Sequence, residues 1–132
     1  MELSVDREVF ESAFYAASDG IVITDADFSE GGPHILYANP GFTKITGYEL
    51  HEVVGKNPSF LQGRKTDRQV VERLKDDLLS GNHFFGQTWN YKKDGTPFLM
   101  QWSIADVKNS QGTVKYYVAI QRDATEREAF IE

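Results

Sequence analysis

The residues best suited to chemistry stand in the middle of the chain, in the stretch 55–63 (Gly-Lys-Asn-Pro-Ser-Phe-Leu-Gln-Gly). Its glycines and proline allow tight turns, and the amides of Asn57 and Gln62 can both donate and accept hydrogen bonds. Phe60 and Leu61 can anchor the stretch in a core. This composition predicts a tight segment that lines a pocket.

Groups that could catalyse a reaction or bind a metal are scattered or missing. His34, His51 and His83 lie far apart without the spacing of metal ligands. The chain has no cysteine, which excludes disulfides, thiolate zinc sites and cysteine nucleophiles within it. It also lacks a phosphate-binding loop, a dinucleotide-binding glycine motif and a serine-hydrolase motif. We therefore expect no enzyme activity and no bound metal.

Size and charge describe one ordinary domain. The 132 residues suit a single domain, and a hydrophobic content of 40% is enough for a core. The net charge of -6 disfavours nucleic-acid binding, which needs clustered Lys and Arg. No apolar run is long enough to span a membrane, and the first residues do not resemble a signal peptide. The sequence predicts a cytoplasmic domain without nucleic-acid or membrane partners.

The first elements are a helix and two strands. Apolar residues in 5–18 recur at helical spacing behind Asp6, a candidate N-cap, and predict an amphipathic helix. That helix could cover its own domain or contact a partner chain. The β-branched run 21–24 and the segment 35–37 predict strands joined by a loop that contains Gly and Pro.

Helices fill the middle of the chain. Asn39-Pro40 predicts a helix start, Gly47 predicts its end, and a further short helix is expected over 49–54. Thr66 and Gln69 predict a capping box at the start of a longer helix that ends near Gly81.

Three strands follow, over 84–92, 96–107 and 113–122, separated by turn sequences at Asp94-Gly95 and 109–112. This order predicts an α+β domain with an antiparallel sheet. Side chains alternate along a strand, so Gln121, Tyr117 and Ala119 share the face toward the helices. The opposite face carries Tyr116, Val118 and Ile120, and it needs cover from a terminal helix or a second chain.

The stretch 55–63 resembles the flavin-contacting helix of light-oxygen-voltage (LOV) domains, a branch of the PAS sensory fold. The family motif is Gly-x-Asn-Cys-Arg-Phe-Leu-Gln, and five of its seven defined positions match: Gly55, Asn57, Phe60, Leu61 and Gln62. Segments 37–48, 90–98 and 121–126 resemble the family's strand-to-helix junction, first hairpin and exit to a signalling helix. The likeness covers roughly residues 12–126. It implies a five-stranded antiparallel sheet with short helices on one face and flanking terminal helices.

The resemblance also implies a flavin, FMN or another, as cofactor. The positions that match flavin contacts in the family are Asn57, Phe60, Leu61, Gln62, Lys75, Asn90 and Gln121. Lys75 replaces one phosphate-gripping arginine, and Ser59 replaces the other. Met100 stands where the family has a second asparagine.

Pro58 stands at the position of the family's photoactive cysteine. A cysteinyl-flavin adduct needs a thiol, and this chain has none. A bound flavin could still fluoresce or be photoreduced, with Trp89, Trp102 or tyrosines as electron donors.

Two functions are compatible with these residues. The first is a sensory input domain that binds a ligand such as flavin. The second is a ligand-free dimerisation and relay module, in which Met100 and Trp102 fill the pocket and the amides only stabilise the fold. Both imply a fused or separate effector, for example a histidine kinase or cyclase-type output. Both also fit a homodimer formed through the outer sheet face and the N-terminal helix.

The expected organisation is a flanking helix over 1–18, a core over 19–123 and the start of a signalling helix over 124–132.

Overall fold

The computed structural model describes residues 6–126. Its strands are β1 (Gly20–Asp25), β2 (Ile35–Ala38), β3 (Phe84–Tyr91), β4 (Pro97–Lys108) and β5 (Val114–Asp123). Its α-helices are α1 (Arg7–Ala16), α2 (Pro40–Thr46), α3 (Leu50–Val53) and α4 (Arg68–Leu79), and Pro58–Leu61 forms a 3-10 turn. Residues 125 and 126 are helical, but most of the helix predicted over 124–132 lies outside the described residues.

The five strands form one antiparallel sheet in the order β2-β1-β5-β4-β3. β5 therefore lies in the centre, where it joins the N-terminal pair of strands to the β3–β4 hairpin. Both the fold class and the five-stranded sheet agree with the sequence prediction.

Side-chain caps fix where the early helices begin. Asp6 accepts a hydrogen bond from the Val9 backbone at 3.2 Å, as predicted. Asn39 accepts from the backbone N–H groups of Phe42 at 3.0 Å and Ile21 at 2.7 Å, so it caps α2 and also attaches that helix to β1. Gly47 ends α2 with a φ of 83°, a conformation that favours glycine.

The capping box predicted at Thr66 and Gln69 is wrong. Asp67 caps α4 by accepting from the Gln69 backbone at 2.9 Å. The Thr66 hydroxyl instead donates to the Trp89 carbonyl at 2.7 Å and accepts from the Gly63 backbone at 2.9 Å. Thr66 thus joins the start of α4 to β3, a long-range contact that local spacing could not show.

The core lies between the helices and one face of the sheet, here called the inner face. Val22, Phe42, Phe84 and Phe98 are almost completely buried there. The inner-face parity predicted for β5 is confirmed, because Tyr117 and Gln121 are buried.

The other side of the sheet, here called the outer face, is less covered. Phe85, Tyr116 and Ile120 are exposed on it, and Val118 is half-buried. Leu99 belongs to the same face by register but is only 5% exposed, so it adds no exposed apolar surface. Helix α1 packs beside α2, with the Phe14 carbonyl accepting from Asn39 Nδ2 at 2.9 Å, and buries none of its residues.

Candidate functional site

A cavity of about 300 Å³ lies between the inner face of the sheet and the segment from the 3-10 turn to α4. Its volume is at the lower end of the range of about 300–1,000 Å³ for ligand pockets. The sheet contributes mainly apolar walls with a few polar groups: Val22, Thr24, Thr88, Asn90, Met100, Trp102, Ile104, Tyr117, Ala119 and Gln121.

The 3-10 turn forms part of the wall, and its geometry selects which side chains reach the cavity. A 3-10 helix has about three residues per turn, so residues three apart share a face. Pro58 and Leu61 accordingly both line the cavity, and Ser59 lies at its edge. Phe60 does not line it; its ring packs edge-on against Tyr48 with centroids 5.0 Å apart. The sequence prediction of Phe60 as a cofactor contact therefore has no support in this geometry.

Asn57 lines the cavity, but the protein already uses its amide. Its Oδ1 accepts from the Ser59 backbone at 2.9 Å, and its Nδ2 donates to the Pro33 carbonyl at 2.9 Å. The residue caps the 3-10 turn and ties it to the loop before β2. Its side chain therefore has a structural role whether or not it contacts a ligand.

Gln62 and Lys75 lie where the cavity wall meets the surface. Gln62 Oε1 accepts from Arg68 Nη1 at 2.7 Å. Because a guanidinium only donates hydrogen bonds, it must face the oxygen of the amide, which leaves Nε2 as a free donor. Lys75 also lines the cavity and is exposed, so it places a cation at this edge.

Asn90 and Gln121 are the two buried amides of the cavity, each no more than 5% exposed. Asn90 Nδ2 donates only a weak hydrogen bond, to Met100 Sδ at 3.7 Å. Gln121 Oε1 has no partner, and among residues 6–126 it is the only buried side-chain polar atom in that state. A buried polar group without a partner costs about 1–3 kcal/mol, so this amide needs an explanation.

Trp102 and Tyr117 give the cavity aromatic walls, whereas Trp89 lies on the outer face by register with Leu99. Burial raises the pKa of the Tyr117 phenol, and the nearby Asp106 carboxylate acts in the same direction. Tyr117 is therefore a neutral phenol near neutral pH.

The loop between β1 and β2 completes the wall with Phe28, Gly32 and Pro33, which the sequence prediction missed. A hydrogen-bond contact at its base holds this loop, with Asp25 Oδ2 lying 2.8 Å from His34 Nδ1. Asp25 Oδ1 also accepts from the His34 backbone at 2.9 Å. No local pattern indicates this contact, because the two residues are nine positions apart and meet only in the folded hairpin.

Neither a metal centre nor a membrane-spanning element is found in the part of the chain that the structure describes. No three His, Asp or Glu side chains there lie close enough together to hold an ion. None of the helices there has the length and apolar character that crossing a bilayer requires.

Comparisons with known proteins agree on one family. Residues 18–126 match the family model described as the PAS domain. Phototropin-1A of Oryza sativa subsp. japonica is 37% identical over 114 residues, which are 86% of this chain and 12% of that protein. A blue-light-activated histidine kinase of Brucella canis (strain ATCC 23365 / NCTC 10854 / RM-666) is 40% identical over 91 residues, which are 69% of this chain and 19% of that protein.

One solved structure matches over almost its whole length. That structure belongs to a study of the mechanism of a light-oxygen-voltage domain with a flavin analogue. It superposes on this chain with a TM-score of 0.82 at 35% identity. The match covers 96% of this chain and 93% of that one, whereas the chain spans less than a fifth of the phototropin and the kinase. The chain therefore belongs to the PAS domain family and is a sensory domain of the light-oxygen-voltage type.

Proposed function

We propose that this domain is the input module of a signalling protein and binds a flavin in the cavity, without forming a cysteinyl adduct. The observation that carries the proposal is the pair of buried amides, Asn90 and Gln121, on an otherwise largely apolar wall. Gln121 Oε1 has no partner within residues 6–126. A ligand with donors and acceptors along one edge would satisfy both amides.

The flavin ring system has that character, because its pyrimidine-like rim both donates and accepts hydrogen bonds. Rotation about the terminal torsion of Gln121 is soft, so its amide can turn either atom toward such a rim. Gln62 offers a free Nε2 donor, and Lys75 offers a positive charge at the surface edge. Met100 replaces an amide with an apolar wall and a weak sulfur acceptor.

A flavin supplies blue-light absorption and reversible electron uptake when it is bound. The chain's own contribution follows from the position of its aromatic residues. Trp102 lies on the cavity wall and Trp89 does not, so Trp102, with Tyr117, is the better placed electron donor. Pro58 lines the cavity without a thiol, which leaves light-driven or chemical reduction as the signal.

The exit segment, residues 123–126, offers a route from the cavity to an effector. The Thr125 hydroxyl accepts from the Leu99 backbone at 2.8 Å, and the Ala124 backbone donates to the Leu99 carbonyl at 2.8 Å. Leu99 precedes Met100, whose sulfur contacts Asn90 in the cavity. A change at the buried amides can therefore reach the exit through strand β4. In the domain division proposed for this chain, the exit leads from the core of 19–123 into the helix of 124–132.

The output itself belongs to an effector, fused or separate, and we propose a histidine kinase or cyclase-type protein in the cytoplasm. The blue-light-activated histidine kinase of Brucella canis supports the first choice by similarity. We also propose that the domain acts as a homodimer, joined through the outer face and α1. The exposed apolar residues of both elements support this arrangement, namely Val9, Phe10, Phe85, Tyr116 and Ile120.

The alternative is a ligand-free relay module. Asn57 favours it, because both ends of its amide are already bonded to backbone. The bulk of Met100 and Trp102 on the inner face favours it too.

The absorption spectrum of the domain, purified after growth with excess flavin, separates the two functions. A yellow protein with a blue-light band that stays with the chain during gel filtration is expected. A folded but colourless protein would contradict flavin binding and leave the relay module as the function.

A further inference from the structure

We propose that Arg68 binds the phosphate of the flavin and thereby replaces the arginine that is absent at Ser59. This inference rests on the proposed function and names the residue that holds the phosphate when the flavin is FMN. It also adds a binding residue that the sequence pattern did not indicate.

The first support is position. Arg68, Val71 and Lys75 follow the i, i+3, i+7 spacing of one helical face, and Val71 and Lys75 both line the cavity. Arg68 lies on that face at the first turn of α4. Its guanidinium contacts Gln62, which is itself a lining residue, at 2.7 Å. The arginine therefore stands at the edge of the cavity, beside Gln62.

The second support is free bonding capacity. A guanidinium has five N–H donors, and the structure gives Arg68 one hydrogen bond, to Gln62. Within residues 6–126, neither Arg68 nor Lys75 takes part in an ion pair. Glu72 follows Arg68 by one turn of α4 without forming a salt bridge to it.

Three further cations of this region contact aromatic rings, and Arg64 is exposed outside the cavity wall. Lys56 lies over Phe60 at 5.3 Å, and Lys65 lies over Trp89 at 5.4 Å. Arg73 lies over Phe84 at 4.8 Å. Arg68 and Lys75 thus remain as the two cations on the cavity side of α4. Their Cα atoms are separated by about 10 Å along the helix, so both long side chains can reach an anion between them.

Chemistry favours Arg68 as the main phosphate contact. Arginine binds phosphate with paired, geometrically matched donors, whereas lysine acts as a point charge. The Gln62 oxygen holds one N–H of Arg68, which limits the freedom of the guanidinium before the ligand arrives.

Affinity for FMN and for riboflavin tests this role, because the two ligands differ only in the phosphate. We expect the native chain to bind FMN more tightly than riboflavin in fluorescence-quenching titrations. Arg68→Ala should weaken FMN binding by about tenfold to a hundredfold, the effect of losing a charge-assisted hydrogen bond, and leave riboflavin affinity unchanged. Arg64→Ala, which removes an exposed arginine outside the cavity wall, is the matched control and should change neither affinity. Ser59→Arg in the Arg68→Ala background should restore FMN binding.

Three results would overturn the inference while leaving flavin binding intact. The native chain could bind both ligands equally, or Arg68→Ala could leave the preference for FMN unchanged. Arg68→Ala could also weaken both ligands by the same factor, in which case the arginine acts only by holding Gln62. Failure of the native chain to bind either ligand would instead overturn the proposed function itself.

Discussion

Gln121 is a residue whose buried amide is unfavourable for folding but useful for the proposed function. It lies on the central strand β5, its amide is buried, and Oε1 has no donor within the described protein. Core positions normally do not contain a buried polar atom without a hydrogen-bond partner, because such an atom is destabilising. A binding site that waits for its ligand can contain such a group.

Replacing Gln121 by leucine should therefore separate stability from binding. In the flavin-free domain, Gln121→Leu should raise the free energy of unfolding by about 1 kcal/mol, because it removes an unpaired buried group at similar volume. The same change should weaken flavin binding by about tenfold or more. Urea unfolding and flavin titration measure the two effects. Gln87→Leu, on the exposed face of β3, is the control. A destabilised Gln121→Leu domain with unchanged flavin affinity would mean that the amide serves only the fold.

Under the proposed function, Pro58 is the residue that determines the photochemistry. The native domain should show no reversible bleaching of the adduct type, because neither position 58 nor any other position carries a thiol. Pro58→Cys with Ser59→Arg rebuilds the LOV motif, and this variant, loaded with flavin, should bleach under blue light and recover in the dark. Adding Met100→Asn should strengthen flavin retention by supplying another buried amide beside Asn90. The absorption spectrum before and after illumination measures the bleaching and its recovery, with Pro58→Ser as the thiol-free control. A triple variant that folds but stays colourless would contradict flavin binding by these amides.

Strand alternation and the family motif indicated residues that line the cavity, and the role of these residues as cofactor contacts stays a prediction. The motif placed Asn57, Leu61 and Gln62 on the cavity wall, and the parity of β5 placed Gln121 there. Phe60 was predicted as a cofactor contact but does not line the cavity, because the turn is a 3-10 helix, whose side chains point differently from those of an α-helix. Arg68 was missed because its contact with Gln62 joins a loop to a helix.

Among the elements, the loop from β1 to β2 is the part of the cavity wall that should respond to pH. His34 has acceptors at both ring nitrogens, Asp25 Oδ2 at 2.8 Å and the Glu30 carbonyl at 3.3 Å. Both nitrogens can donate only in the protonated ring. The hydrogen bond to the Asp25 carboxylate accordingly raises the pKa of His34 above its ordinary 6.5, and Asp27 adds to the effect. At Asp25, burial acts to raise the pKa of the carboxyl group. The hydrogen bonds from His34 outweigh this effect and lower the pKa of Asp25 below 3.8.

These directions fix the sign of the pH dependence. The raised pKa of His34 contributes stability that is complete below 6.5 and is lost as the pH rises through its value in the folded state. The lowered pKa of Asp25 contributes stability that is present above 3.8 and is lost as the pH falls. The Asp25–His34 pair therefore stabilises the loop most between pH 3.8 and pH 6.5.

We expect the free energy of unfolding to decrease between about pH 6 and about pH 8, and His34→Asn to reduce that decrease. Urea unfolding of the native and His34→Asn domains at the two pH values measures this decrease. His51→Asn, at an exposed position on α3, is the control and should keep the native slope. An identical slope in the His34→Asn domain would show that the Asp25–His34 pair does not stabilise the loop.

The elements themselves were predictable because their signals are local. The β-branched runs predict strands, and Asn39-Pro40 predicts a helix start. The turn sequences predict chain reversals, and each of these signals needs only a few residues. The start of α4 shows the limit of such signals. Thr66 and Gln69 have the spacing of a capping box, yet the Thr66 hydroxyl bonds to Trp89, which lies more than twenty residues further along the chain.

At the scale of the whole molecule, the outer face and α1 leave exposed apolar side chains that suit a homodimer. Ile120 is 45% exposed and Tyr116 is 44% exposed on the sheet, and Phe10 is 53% exposed on α1. Exposed apolar surface of this kind commonly marks an interface. The sequence indicated this face through the parity of β5, but strand parity alone cannot identify the chain that covers it.

Light scattering should give the mass of a dimer for the native domain, and Ile120→Lys should shift it toward the monomer because the charge must be desolvated in the interface. Deletion of residues 1–18 should have the same effect. Val54→Lys is the control, since Val54 is 51% exposed at the end of α3 and belongs neither to a strand nor to α1. A native domain that is monomeric at high micromolar concentration would contradict the dimer.

The most direct measurement of the central claim follows the side-chain amide signals of Asn90 and Gln121 by nuclear magnetic resonance. Flavin is added to flavin-free, isotope-labelled domain until the signals no longer change. If the two buried amides bind the rim of the ligand, their signals should shift together with bound flavin, and that of Gln87 on the outer face should not move. Signals of Asn90 and Gln121 that stay in place at saturating flavin would contradict flavin binding in this cavity.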